Sequence, residues 1–214
     1  MKHKIEKNTV QETLILPLYS RKLCTELYPN LYRDETAVRL LDQIDYDFSE
    51  AEKNSRSLMQ RFGALEVAMR QNDLAWEVRD YLKTHPSAAV FFASGVFYYF
   101  LTQQVKALVQ QMADAFSGGV LVFDAANRTA VKMIAKTWLR TAKIKDVGAY
   151  FAVSDAPKEI GEWDNRLQVT SRGYMLGYND LRDHSVSGFF RFLARVGDNG
   201  MKMQIVKIRF GGKA

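Results

Sequence analysis

Two short stretches carry residue types that could do chemistry at the tip of a strand. The first is Ser94-Gly95, which follows the apolar run at 88–93. The second runs from Asp124 to Asn127 and follows Val120-Leu-Val-Phe123. In open α/β sheets, ligands bind beyond the carboxyl ends of strands. Gly95 would let a ligand approach the backbone closely, and Asp124 and Asn127 can hydrogen-bond a polar substrate. Both also suit a second role, capping the helix that follows. Tyr98 and Tyr99 come directly after the first tip, one suited to the core and the other to a cleft. Ser94 stands where a hydrolase nucleophile could sit, but Ala93 and Gly95 do not build the tight Gly-x-Ser-x-Gly elbow.

Other chemistry is sparse. His3, His85 and His184 lie far apart, with no Cys-x-x-Cys or His-Glu-x-x-His spacing, so no metal site is expected. There is no Gly-x-x-x-x-Gly-Lys-Ser/Thr phosphate loop. Cys24, the single cysteine, falls in an apolar helical pattern and reads as a buried structural thiol rather than a nucleophile. It cannot form a disulfide within the chain, which fits a reducing cytoplasm. The start, Met-Lys-His-Lys-Ile-Glu-Lys, has no apolar signal core. The apolar part of the longest uncharged stretch, 88–101, is shorter than the ~20 residues that cross a bilayer, so no membrane segment is expected. The formal charge of +6 arises wholly from Arg166 onward, where nine Lys and Arg face three Asp and Glu. These cations are spaced out, which reads as a solvated mixed surface and not as a nucleic-acid footprint.

The elements that must position the two strand tips can be read from periodicity. A chain of 214 residues, 47% hydrophobic and 25% charged, supports one core or at most two small ones. The first third reads as helical. Asp34 can cap a helix starting at Glu35, with Val38, Leu41 and Ile44 on one side. A long helical pattern covers 54–84 through Leu58, Phe62, Leu65, Met69, Leu74, Val78, Tyr81 and Leu82; Asn72-Asp73 can divide it, and His85-Pro86 ends it. The run at 88–93 lacks polar alternation, as expected of a strand buried on both faces. A helix follows at 102–116, with Val105, Leu108, Val109 and Met112 inward, stopped by Ser117-Gly118-Gly119. Then come a buried strand at 120–123, a helix at 127–143, a strand at 167–170, and a helix at 186–196 with a turn at 197–200. The last strand, 201–210, has a wetter face with Lys207 and Arg209, and is expected to be antiparallel near the sheet end. Such alternation implies an α/β fold with a mainly parallel sheet covered by helices. The expected layout is a helical region at 1–84 and an α/β core at 85–214 within a single structural domain.

Several segments together resemble a known family. Thr13-Leu-Ile-Leu-Pro-Leu-Tyr-Ser-Arg-Lys22, Arg33-Asp34 with Ala37, and Asp45-Tyr-Asp-Phe-Ser49 resemble the N-terminal region of leucine carboxyl methyltransferase-like proteins. More narrowly, they resemble the branch named for the tetracenomycin polyketide-synthesis O-methyltransferase. His85-Pro86 with Ala88-Ala-Val90 is similar to the approach to that family's first strand. Phe91-Phe-Ala-Ser-Gly-Val-Phe-Tyr-Tyr99 is similar to its fourth strand and following turn, where the family often has Glu-Gly-Val-x-x-Tyr. The segment from Ala115-Phe116 to Asp124 is similar to the fifth strand and its approach, so the resemblance spans nearly the whole chain.

The resemblance implies a Rossmann-like class I methyltransferase sheet, here reduced and with an antiparallel C-terminal strand, under an N-terminal helical lid. It implies an S-adenosylmethionine-dependent O-methyltransferase acting on a small-molecule acceptor, such as a carboxylate or a polyketide-like compound. By position, Arg70 matches an arginine that pairs with the cofactor carboxylate; a guanidinium fork suits that task. Ser94 stands where the family often has a glutamate near the cofactor, and Gly95 follows it. Tyr99 matches the turn tyrosine, and Thr13, Tyr19 and Arg21 fall in the lid segment over the acceptor. The family's first strand runs into a glycine-rich turn, and an acidic residue at the next strand end holds the ribose. Here Val90 passes directly to Phe91, so about two strand–helix units, on the order of 60 residues, have no counterpart. The shortened sheet would then have an open edge that a homodimer could cover. The alternative function is a non-catalytic binding or assembly module derived from the same fold.

Overall fold

The computed structural model describes residues 2–6, 9–134, 136, 148–179 and 181–211. These residues divide into two units. The first holds residues up to Met69 together with 181–192; the second holds 70–134, 136, 148–179 and 193–211. The division falls between Met69 and Arg70, inside a helix, whereas the expected boundary at 84–85 lies within the second unit.

In the first unit, β1 (His3–Lys4) pairs in parallel with β2 (Ile44–Asp45). Helix α1 (Val10–Leu27) buries Ile15, Tyr19, Leu23 and Cys24. Burial pushes the Cys24 thiol up to about 12, which keeps it protonated and unreactive at neutral pH. Helix α2 (Glu35–Leu41) starts as its sequence dictates, with the Asp34 carboxylate accepting from the Ala37 N–H at 2.8 Å. A short α3 (Ser49–Asn54) follows, then α4 (Leu58–Thr84). The expected division of α4 at Asn72-Asp73 does not occur. Asp73 is buried there and its carboxylate is held by side chains of the second unit's sheet and loops, which offsets its weak helix propensity.

The second unit is built on a four-stranded sheet in the order β3-β4-β6-β5. Strand β3 (Val90–Ala93) leads through a 3₁₀ turn at Phe97–Tyr99 into α5 (Thr102–Ala115), which returns to β4 (Val120–Ala125). Strands β3 and β4 are parallel, with Val90 opposite Val120 and Ala93 opposite Phe123. After α6 (Arg128–Ile134), α7 (Ala156–Gly161), β5 (Leu167–Gly173) and α8 (Gly188–Arg195), whose residues up to Phe192 belong to the first unit, β6 (Gln204–Phe210) inserts between β4 and β5, antiparallel to both. The sheet is therefore mixed rather than mainly parallel, and the last strand is internal rather than near its end. The expected helix at 127–143 is seen over Arg128–Ile134; most of its remainder lies outside the described residues.

One face of this sheet carries the apolar core. Phe91 and Ala93 from β3, Leu121, Phe123 and Ala125 from β4, and Val206, Ile208 and Phe210 from β6 pack with Val105, Val109, Met112 and Ala113 of α5. Leu108, expected inward, is exposed because the buried stripe runs through 105, 109, 112 and 113. Phe97 meets Phe123 edge to face with ring centroids 4.9 Å apart, next to Phe151. Strand β4 is buried along its whole length, as its sequence predicts. Strand β3 is not buried on both faces. It is an edge strand, and Phe92 keeps 46% of its surface exposed.

Candidate functional site

The opposite face of the sheet is polar, and alternation along the strands explains why. In β4, the residues flanking Phe123 point the other way, so Asp124 leaves the apolar core and faces residues 70–84 of α4. Arg172 in β5 and Lys207 in β6 do the same. Helix α4 presents Arg70, Asp73 and Glu77 at spacings of three and four, which places them along one stripe.

At one end of that stripe, three residues singled out by sequence come together. The turn after β3 places Gly95 at φ +67°, a left-handed conformation that glycine adopts without a steric cost. The Gly95 N–H then donates to Asp124 Oδ1 at 2.6 Å. Asp124 Oδ2 accepts from Arg70 Nη1 at 3.2 Å. The Asp124 side chain is fully buried and that of Arg70 is 12% exposed, so this ion pair is largely removed from water. A Cβ at Gly95 would lie 3.6 Å from Arg70 Nη2, an ordinary contact distance.

The other expected residues have their own places. Ser94 is half-buried in the turn beside Gly95. Tyr98 is buried, and its carbonyl accepts from the Tyr150 N–H at 2.7 Å; Tyr99 is half-buried. Asn127 is a helix cap: its Oδ1 accepts from the Ala130 N–H at 3.0 Å, and its Nδ2 donates to the Gly200 carbonyl. Thr13, Tyr19 and Arg21 all lie on α1 in the first unit. Thr13 is buried, Tyr19 stacks on Phe48 at 5.4 Å, and Arg21 pairs with Asp34 through Nε at 2.7 Å. Burial raises the Asp34 carboxyl, but the Ala37 N–H and Arg21 more than offset this and hold it below the usual range.

A second polar cluster lies outside the residues that the sequence singles out. Asp73 accepts from Arg172 Nη1 at 3.0 Å and from Asn179 Nδ2 at 2.8 Å. Glu77 accepts from Arg172 Nε, Tyr178 Oη and, at 2.7 Å, Lys207 Nζ. The Arg172 guanidinium lies 3.2 Å from the centroid of the Tyr178 ring. Burial pushes the Asp73 carboxyl up to about 6, against the opposing pull of Arg172. Burial also raises Glu77, but hydrogen bonds from Lys207 and Tyr178 bring it below its ordinary value. The sequence carries a signal for it: two carboxylates one helical turn apart, either side of the buried Leu74, on the same stripe as Arg70.

The fit to S-adenosylmethionine is uneven. A guanidinium and the N–H of a left-handed glycine at a strand tip suit the carboxylate of the cofactor's amino-acid end. In this structure both groups are already directed to the Asp124 carboxylate. For the nucleoside end, no described strand lies beyond β3 to supply an acidic tip for ribose. Among the described residues, no three His, Cys, Asp or Glu are grouped to hold a metal ion. No described helix is long and apolar enough to cross a membrane. No family model, curated protein or solved structure matches the chain.

Proposed function

We propose that the chain is an S-adenosylmethionine-dependent O-methyltransferase of small-molecule type, with a reduced Rossmann-like sheet and a carboxylate or polyketide-like acceptor. The observation that carries this reading is the meeting of Arg70, Gly95 and Asp124 at the carboxyl ends of β3 and β4. The β3-α5-β4 crossover is the part of the fold that this reading needs. The cofactor would supply a methyl group already activated on a sulfonium. For a carboxylate acceptor, the protein's task is then alignment, with little need for acid or base. Arg70 would hold the amino-acid end, and Gly95 would let it approach the backbone. Thr13, Tyr19 and Arg21 belong to the other unit and carry no part of this reading. A nucleic-acid partner has less support, since Arg166, Arg172 and Lys207 are held in ion pairs by nearby carboxylates.

A second reading, a non-catalytic binding or assembly module, is favoured by one observation. Asp124 already takes up both the Gly95 N–H and Arg70, so the tip is satisfied by the protein itself. Titration calorimetry separates the two. Saturable heat with S-adenosylmethionine, weakened in Arg70→Lys, is expected of the methyltransferase. Absence of heat into the high-micromolar range would leave the module.

A further inference from the structure

The open edge of β3 is the surface that no described residue accounts for. The Val120 N–H donates to the Ala89 carbonyl, which fixes the parallel register of β3 against β4. In such a ladder alternate residues turn their backbone groups to the neighbour. Ala89, Phe91 and Ala93 therefore face β4, while the N–H and C=O of Val90 and Phe92 point away from the sheet. Among the described residues no strand receives them.

We propose that this edge pairs with the β3 edge of a second copy of the chain, antiparallel about a two-fold axis through Phe91. In that register, Val90 of one copy exchanges both backbone hydrogen bonds with Phe92 of the other, and the reverse pair does the same. The donors and acceptors match without residue, because a strand turned about a two-fold presents the same pattern to itself. Two four-stranded sheets become one continuous sheet, and the pairing closes on itself with no further free β3 edge.

Charge selects a second copy as the occupant. The chain carries +6, yet no Asp, Glu, Lys or Arg occurs from Thr84 to Val105. Two like-charged copies can meet along this segment without facing like charges. The segment also holds Phe92, Val96, Phe100 and Leu101, all exposed large apolar residues. The far edge of the same sheet is guarded differently. Strand β5 carries Gln168, Thr170, Ser171 and Arg172 and follows directly on Arg166. Polar and cationic residues are what blunt an edge strand against pairing, and β3 has none.

Sedimentation velocity over a concentration series tests this on the whole chain. A discrete dimer with a dissociation constant in the micromolar range is expected, since a short strand pair with a modest apolar flank sits at the weak end of specific interfaces. Phe92→Pro removes an N–H that the sheet itself does not use and should weaken the dimer by at least about tenfold. Phe92→Lys leaves the backbone intact and should act in the same direction by placing like charges across the axis. It keeps the test decisive if the proline variant does not fold. Leu108→Ser, on α5 and off the edge, should leave the dimer unchanged. Amide exchange should show Val90 and Phe92 gaining protection as concentration rises. A monomer at every concentration, assemblies that grow past the dimer, or a dimer insensitive to both Phe92 variants would each overturn the proposal.

Discussion

The ion pair between Arg70 and Asp124 sets the behaviour of the strand tip. Asp124 is fully buried, so removing its partner leaves a charge with neither water nor a counter-ion. Arg70→Met should therefore lower unfolding free energy by about 3–5 kcal/mol, the usual cost of breaking a buried pair from one side. The double variant Arg70→Met, Asp124→Asn should recover much of this, and urea unfolding of the four proteins would measure the coupling. Asp124→Asn alone has a different value. Its amide oxygen can still accept from the Gly95 N–H, while Arg70 is released from a full counter-charge. Under the methyltransferase reading, calorimetry should then show tighter binding of S-adenosylmethionine, by about tenfold if the competing pair costs ~1.4 kcal/mol. Weaker or unchanged binding would mean that Arg70 is a structural residue. Gly95→Ala is expected to destabilise by about 1–2 kcal/mol, because the cost lies in the left-handed backbone and not in the 3.6 Å contact with Arg70.

On the scale of elements, the packing of α4 against β5 and β6 should carry a pH signature. Asp73 titrates near 6 when folded and near 3.9 when unfolded. Between those values the folded chain holds a proton that the unfolded chain has lost. Stability should therefore fall as pH rises from about 4 to about 6. Asp198, also raised by burial, adds a slope of the same sign. Glu77 acts oppositely: its contribution is present above its unfolded value and is lost as pH falls through its lowered one. Urea midpoints measured from pH 4 to 7 should show a shallower decline in Asp73→Asn than in the parent chain. An identical decline in the two would remove Asp73 as its source. The same cluster shows what the sequence could and could not convey. The helical pattern at 54–84 and the buried strand at 120–123 are legible because apolar spacing alone determines them, and they are seen as Leu58–Thr84 and Val120–Ala125. From sequence alone Asp73 reads as a residue that can divide the helix, because its partner, Arg172, lies 99 residues away. Gly95 and Asp124 were legible from the strand-tip rule, whereas their meeting with Arg70 depends on a contact across 54 residues. The run at 88–93 is equally apolar whether central or at an edge, so its edge position could not be read from it.

At the scale of the whole molecule, the peptide bond between Val90 and Phe91 is the place where the two proposals can be tested together. These residues are consecutive in β3 and pair with Val120 and Leu121. The resemblance assigns Val90 to one strand and Phe91 to the next but two, with about two strand–helix units between them, on the order of 60 residues. An insertion of that length, carrying a glycine-rich turn and an acidic strand end, meets no described strand on the open side of β3. Its entropic cost also grows only slowly with length. The inserted strands would cover the backbone groups of Phe92 and supply the nucleoside half of the cofactor site. Calorimetry on the insertion variant should then show S-adenosylmethionine binding well above that of the parent chain. Sedimentation should show a monomer at concentrations where the parent chain is dimeric. The two readouts fail separately. A folded insertion variant whose affinity is unchanged counts against the methyltransferase reading whatever its oligomeric state. One that binds cofactor yet remains dimeric shows that the two copies meet somewhere other than along β3.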